Sequence, residues 1–141
     1  MKLLISACLL GIACRYDGES RPCAGIDKLA AKYEFVPFCP EIYGGLSTPR
    51  LPCEIVGERV IRRDGADMTA QYDRGAEQAL LLCKKLGCNA ALLKEKSPSC
   101  GCGLIYDGSF SGKLTNGDGV AAKLLKENGI KVYGESQIGE L

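Results

Sequence analysis

Leu3-Leu4-Ile5 and Ala90-Ala91-Leu92-Leu93 are apolar at every position rather than at every second one. A strand with two apolar faces must be covered on both, the situation of a parallel strand between layers of helix. The intervening stretches supply those helices. From Thr69 to Leu86, Tyr72, Ala76, Ala79, Leu80 and Cys83 recur at spacings of three and four. This predicts an amphipathic helix that Thr69 caps and Gly87 stops. A shorter helix is expected over Ile26–Tyr33, with Ile26, Leu29 and Ala30 on one face. Another is expected over Gly119–Asn128, with Val120, Leu124 and Leu125 inward and Gly129 as its stop. The first strand reads as Lys2–Ser6. Glu34–Phe38, ended by Cys39-Pro40, and Lys131–Tyr133 are further strands. Two hairpins are expected, Glu54–Val56 with Arg59–Ile61 and Leu104–Tyr106 with Phe110, turning at Gly57-Glu58 and Asp107-Gly108. The alternation predicts an α/β chain with a Rossmann-like three-layer fold. It has a small parallel sheet of about four strands, helices on both faces and two hairpin insertions. The 141 residues, 46% hydrophobic and without repeat or linker, read as one domain over 1–141.

Several function classes drop out. There is no His, which removes Ser-His-Asp and Cys-His catalysis and zinc sites built on imidazole. Eighteen basic residues against 17 acidic ones argue against a polyelectrolyte nucleic-acid partner, though Arg50, Arg59, Arg62 and Arg63 leave a local basic groove open for tRNA. The uncharged run Leu3–Cys14 is similar to a signal peptide, and Ile5-Ser6-Ala7-Cys8 to a lipoprotein cleavage box. The apolar stretch before Cys8 is shorter than the usual h-region of about 7–15 residues. No segment approaches the roughly 20 apolar residues of a membrane span. A cytoplasmic protein with no membrane partner is expected.

Nine cysteines are the outlying count, and an odd number cannot all pair within the chain. Cys83, on the apolar face of a helix, and Cys88, beside a helix stop, read as structural. In an open parallel sheet, ligands bind beyond the carboxyl ends of the strands. Cys8, Cys39 and Cys100 each follow a strand at that edge, and converging thiolates make a soft site suited to iron–sulfur or zinc. Cys39-Pro40-Glu41 adds a carboxylate, and Ser97-Pro98-Ser99-Cys100-Gly101 adds hydroxyls. Gly11, Gly44, Gly45, Gly101 and Gly103 would let backbone approach a bulky cluster. Asn116-Gly117-Asp118-Gly119 opens the last helix, whose first amides could receive a polar ligand. Cys14, Cys23, Cys53 and Cys102 are bystanders or a fourth ligand. Gly108–Lys113 is one residue short of a phosphate loop and lies in a hairpin, and Gly101-Cys102-Gly103 lacks the third glycine of a dinucleotide fingerprint.

Together, Ser6-Ala7-Cys8-Leu9-Leu10-Gly11, Cys14-Arg15-Tyr16-Asp17-Gly18, Cys39-Pro40-Glu41 with Gly44-Gly45-Leu46, Thr48-Pro49-Arg50, Lys94–Gly101 and Tyr106-Asp107-Gly108 form a recognisable series. In that order they resemble the thiouracil desulfurase family, a former domain-of-unknown-function family, over essentially the whole chain. The resemblance implies a [4Fe-4S] cluster held by Cys8, Cys39 and Cys100, with one iron open. It implies Glu41 as the catalytic acid–base and Ser97 as a substrate-contacting residue. The activity implied is non-redox cleavage of a C–S bond in a small-molecule thiolated pyrimidine. Substrate sulfur would bind the open iron, and water activated by Glu41 would replace sulfur with oxygen. Ser97 and Ser99 would hold the pyrimidine's polar edge, with Arg15 or Asp17 assisting. A 2-thio or 4-thio pyrimidine, as base, nucleoside or nucleotide, satisfies these motifs equally. Two other readings stand beside it. One is a non-enzymatic iron–sulfur or zinc module with a closed four-ligand site. The other is a redox thiol protein using a pair such as Cys100 and Cys102.

Overall fold

The computed structural model describes Met1–Leu141 throughout. Its main sheet has four parallel strands. The first two in the chain are β1 (Lys2–Ser6) and β2 (Glu34–Phe38), linked through α1 (Ile26–Ala30). After β2 come the one-turn helix α2 (Pro40–Tyr43), the hairpin β3 (Cys53–Val56)–β4 (Arg59–Arg62) and the long helix α3 (Thr69–Leu86). Strand β5 (Ala90–Leu93) is followed by the hairpin β6 (Leu104–Tyr106)–β7 (Leu114–Asn116), then α4 (Val120–Glu127) and β8 (Lys131–Gly134). The strand order is β2-β1-β5-β8, all pairs parallel, so β1 lies between β2 and β5 and the chain reverses direction across it.

Burial explains the continuous apolar runs. Leu3, Leu4 and Ile5 are fully buried but point alternately to opposite faces. Leu4, Ala91, Leu93 and Val132 pack with Ala79 and Cys83 of α3 and Ala122 and Leu125 of α4. Leu3, Ile5 and Leu92 pack with Leu29 of α1, Leu9 of a 3-10 turn (Ala7–Leu10), Ile138 of the C-terminal 3-10 segment (Glu135–Glu140) and Leu141 just after it. The result is a three-layer α/β architecture with helices on both faces and two small antiparallel hairpins, as the sequence pattern predicts.

Local details differ. The first helix stops at Ala30, which is exposed, not at Tyr33, because Glu34 must already be paired across from Lys2. In α4 the fully buried positions are Ala121, Ala122 and Leu125, while Val120 and Leu124 are half-buried. The second hairpin pairs β6 with Leu114–Asn116, leaving Phe110 inside a seven-residue connection from Asp107 to Lys113. Thr69 does not cap α3 with its side chain. Its amide and hydroxyl donate to Asp67 Oδ1 (2.9 and 2.6 Å), and its Oγ1 accepts from the Val60 amide (2.9 Å), tying the helix to β4.

Helix α2 has a sequence signal in Cys39-Pro40, since proline favours the first helical position. Two glycines seat it on α3. A Cβ at Gly75 would lie 1.9 Å from the Pro40 carbonyl oxygen, and one at Gly44 would lie 2.1 Å from the Gln71 carbonyl oxygen. No helix is long and apolar enough to cross a membrane.

Candidate active site

A cavity of about 560 Å³ opens beyond the carboxyl ends of β1, β2 and β5, the edge where a doubly wound sheet takes its ligands. Each strand delivers its successor residues there. Cys8 enters from the 3-10 turn after β1, Cys39 and Glu41 from the β2–α2 junction, and Ser97, Ser99 and Cys100 from the loop after β5. The last loop is fixed by backbone. Amides of Val120 and Ala121, at the start of α4, donate to the carbonyls of Pro98 and Ser99 (2.8 and 2.9 Å). Those helix amides are therefore committed to holding the loop, not free for the polar ligand expected from Asn116–Gly119. A second brace is reciprocal. Glu135 Oε1 accepts from the Glu95 amide (2.7 Å) and Lys94 Nζ (2.9 Å), while Glu95 accepts from the Ser136 amide (2.9 Å) and hydroxyl (2.7 Å).

Glu41 sits at the centre of the polar network. Its Oε1 accepts from Arg50 Nε (3.0 Å) and the Tyr72 hydroxyl (2.9 Å), and its Oε2 from the Ser99 hydroxyl (2.9 Å) and, at 3.5 Å, the Ser97 hydroxyl. Ser97 Oγ also accepts the amides of Ser99 and Cys100, both at 3.1 Å, so its position is set by the loop backbone. Arg50 reaches further, donating to the carbonyls of Ser47 and Cys14, both at 3.0 Å. Burial is the largest influence and opposes the Arg50 cation, but the charge and the hydrogen bond of Glu41, with smaller contributions from its neighbours, together raise its pKa. Burial, then the Glu41 charge, pushes the Tyr72 phenol far up, so Tyr72 remains a hydrogen-bond donor. Sequence periodicity assigns Tyr72 to the core, which its ring satisfies, but its hydroxyl belongs to the site. Arg50 has a signal in the Thr48-Pro49-Arg50 motif, but not one that names its partner.

The thiols group in the same place. Cys8, Cys14, Cys39 and Cys100 all line the cavity, and Cys39 donates to the Cys14 carbonyl (3.9 Å). Cys100 receives the Ser6 hydroxyl at 3.4 Å. Burial pushes Cys100 up to about 12, and the hydrogen bond to Cys14, with burial, pushes Cys39 up strongly. Of the cysteines with no assigned role, Cys14 and Cys53 line the cavity, while Cys23 and Cys102 do not. Cys102 donates to the Val132 carbonyl (3.6 Å), so Cys100 and Cys102 occupy different environments. A reactive redox thiol needs a lowered pKa, and Cys100 has a raised one. No three or more Cys, Asp and Glu side chains converge to hold a single metal ion, so a mononuclear zinc site has no donor set. A cluster presents its irons at separate corners. Thiols arriving from three strand ends around a roomy cavity fit that spread, and the soft donor set fits iron–sulfur chemistry.

Other expectations resolve by position. None of Gly11, Gly44, Gly45, Gly101 and Gly103 lines the cavity. Gly44 and Gly101 serve close backbone contacts within the fold. Arg15 lines the cavity and is held by Asp17, which stands behind it (3.4 Å). Of the arginines read as a basic groove, Arg50, Arg59 and Arg62 are each paired with an acid, and Arg63 lines the cavity.

A family model described as 2-thiouracil desulfurase matches residues 3–137. The chain belongs to the 2-thiouracil desulfurase family. The Bacillus subtilis (strain 168) protein YbbK, described as uncharacterized, is 42% identical over 149 aligned residues, covering 99% of each chain. A solved structure described as the [4Fe-4S]-dependent thiouracil desulfidase TudS superposes with a TM-score of 0.95 at 50% identity, covering 99% of this chain and 94% of that one. Within this desulfurase-family fold, a carboxylate with four donors, two serines and a group of thiols share one cavity.

Proposed function

We propose that this chain is a [4Fe-4S]-dependent desulfurase that converts the thiocarbonyl of a thiolated pyrimidine to a carbonyl, with Cys8, Cys39 and Cys100 as the cluster ligands. When bound, a cluster with one iron free of protein supplies a Lewis acid with affinity for soft sulfur, which makes the thiocarbonyl carbon more electrophilic. The chain's own groups do the rest. Glu41 is the base that takes a proton from water. Arg50 and Tyr72 saturate Oε1, and Ser99 takes one position on Oε2. The long 3.5 Å contact from Ser97 leaves the other Oε2 lone pair as the least committed, and water docks there. Water oxygen bonds to the carbon, the C–S bond breaks, and sulfur departs as sulfide. The carbon's oxidation state does not change, so no electron donor or acceptor is required. Ser97 and Ser99, fixed by their loop, orient the polar edge of the ring.

The observation carrying this reading is the placement of Glu41 beside the loop that bears Cys100, inside a cavity that Cys8 and Cys39 also line. The test is anaerobic reconstitution with iron and sulfide, metal analysis, and turnover of 2-thiouracil and 4-thiouracil followed by loss of thiocarbonyl absorbance and release of sulfide. Four irons per chain with stoichiometric sulfide release is the expected result. A fully loaded protein that desulfurates no thiopyrimidine overturns it.

A further inference from the structure

The β6–β7 connection forms part of the cavity wall, where it presents Phe110. The Asp107 amide closes the loop onto the Lys113 carbonyl (2.9 Å), and Asp107 Oδ1 accepts the Ser109 amide (2.9 Å). Glu54 of β3, which also lines the cavity, then clamps the loop, its Oε1 accepting the amides of Gly108 (2.9 Å) and Phe110 (3.1 Å). The loop presses against β3 so closely that a Cβ at Gly108 would lie 2.7 Å from the Ile55 carbonyl oxygen. Phe110 itself sits at φ 55°, in the left-handed region that a bulky residue rarely occupies. Such positions normally go to Gly or Asn. Phe110 is half-buried and is not among the side chains of the three core clusters. The fold thus holds an aromatic ring in an unfavourable backbone conformation at a place where the ring's surroundings are the cavity, not the core.

We infer that Phe110 is the stacking platform for the pyrimidine ring, delivered by the Glu54 clamp, and so a specificity-determining residue for a flat heteroaromatic substrate. This rests on the desulfurase reading for its substrate but not for its test. A pyrimidine offers a π-face whatever the position of its sulfur, and aromatic stacking recognises that face irrespective of the ring's substituents. The clamp fixes the backbone that carries the ring before substrate arrives, so less ordering is left to binding.

The chain contains no Trp, so Phe110→Trp installs a single reporter at the site. In the metal-free protein, titration with uracil, which does not absorb where Trp emits, is expected to quench that fluorescence saturably. Quenching that does not saturate, or none, overturns the inference. In the iron-loaded protein, Phe110→Ala is expected to raise the KM for thiouracil by about tenfold or more, with kcat changed by less than about threefold, and Phe110→Tyr to restore the wild-type KM. Phe110→Gly relieves the backbone and is expected to melt no lower than wild type while binding as poorly as Phe110→Ala, which separates stacking from folding. Wild-type KM in Phe110→Ala, or full rescue by the apolar but non-planar Phe110→Leu, overturns stacking. If loaded wild-type protein turns over no thiopyrimidine, the desulfurase reading fails, while the uracil titration still decides the role of Phe110.

Discussion

Replacing Arg50 with Met tests whether the acid of the site is held by an ion pair. The pair is not a surface one. The Arg50 and Glu41 side chains are only 8% and 13% exposed, with Nε 3.0 Å from Oε1. An exposed pair contributes about 0–1 kcal/mol, whereas removing one partner of a buried pair costs about 3–5 kcal/mol because the other is left desolvated. Glu41 keeps Tyr72, Ser97 and Ser99 as donors and borders an open cavity, which places the expected loss near the lower figure, about 3 kcal/mol. The carbonyls of Ser47 and Cys14 also lose their donor, and Met fills the volume without replacing it. At roughly 3 °C per kcal/mol for a chain of this length, the melting temperature should fall by about 9 °C. The measurement belongs on metal-free protein under reducing, anaerobic conditions, so that metal binding adds nothing to stability. Glu41→Gln strips the counter-charge from Arg50 and should also destabilise. The double variant should be less destabilised than the two singles together by about 1–3 kcal/mol. A drop below about 2 °C for Arg50→Met, or strictly additive singles, would refute the idea that this pair fixes the carboxylate.

Gly75→Ala should destabilise the protein and lower turnover despite the roughly 1 kcal/mol of helix propensity it gains, since the new methyl meets the Pro40 carbonyl; equal or higher thermal stability would contradict this. Cys8→Ser, Cys39→Ser and Cys100→Ser should each lose iron on reconstitution, while Cys23→Ser, whose thiol lies outside the cavity, should retain it, as metal analysis will read. Asp64 and Asp67 have pKa values lowered to about 2, the first chiefly by Arg62 and the second chiefly by the Thr69 hydroxyl, then Arg59. With folded values below the ordinary 3.8, their stabilisation is present above about pH 4 and is lost as the pH falls toward 2. Acid unfolding followed by circular dichroism should therefore be shallower over that window in an Asp64→Asn/Asp67→Asn variant, and an unchanged profile would contradict it.

The sheet was legible because its two central strands, β1 and β5, are apolar on both faces, a pattern few other environments produce. Helix α3 was legible because its spacing and its glycine stop agree. What the sequence hid was mostly polar and non-local. Tyr72 falls on the apolar stripe of α3, so periodicity assigns it to the core; only the fold shows its hydroxyl reaching a carboxylate 31 residues earlier. Arg50 lies in an irregular segment where no repeat constrains its direction. Phe110 reads as a strand residue because aromatics favour strands, but the Glu54 clamp, 56 residues away, holds it in a left-handed loop. The glycines expected to make room for a cluster make room for backbone instead, because a small residue announces a close approach without naming what approaches.

The seat of α2 on α3 has a mechanical consequence. A single helical turn has almost no stability of its own, so the reach of Glu41 is dictated by the eighteen-residue rod beneath it. That rod is pinned along its inner side by Ala76, Ala79 and Cys83, while Leu81 on its outer side is open to water. Substitutions on the outer side can accumulate without disturbing the acid. A shift of the rod along its own axis cannot, because two carbonyls resting against two bare α-carbons leave no compliant side chain to absorb the slip.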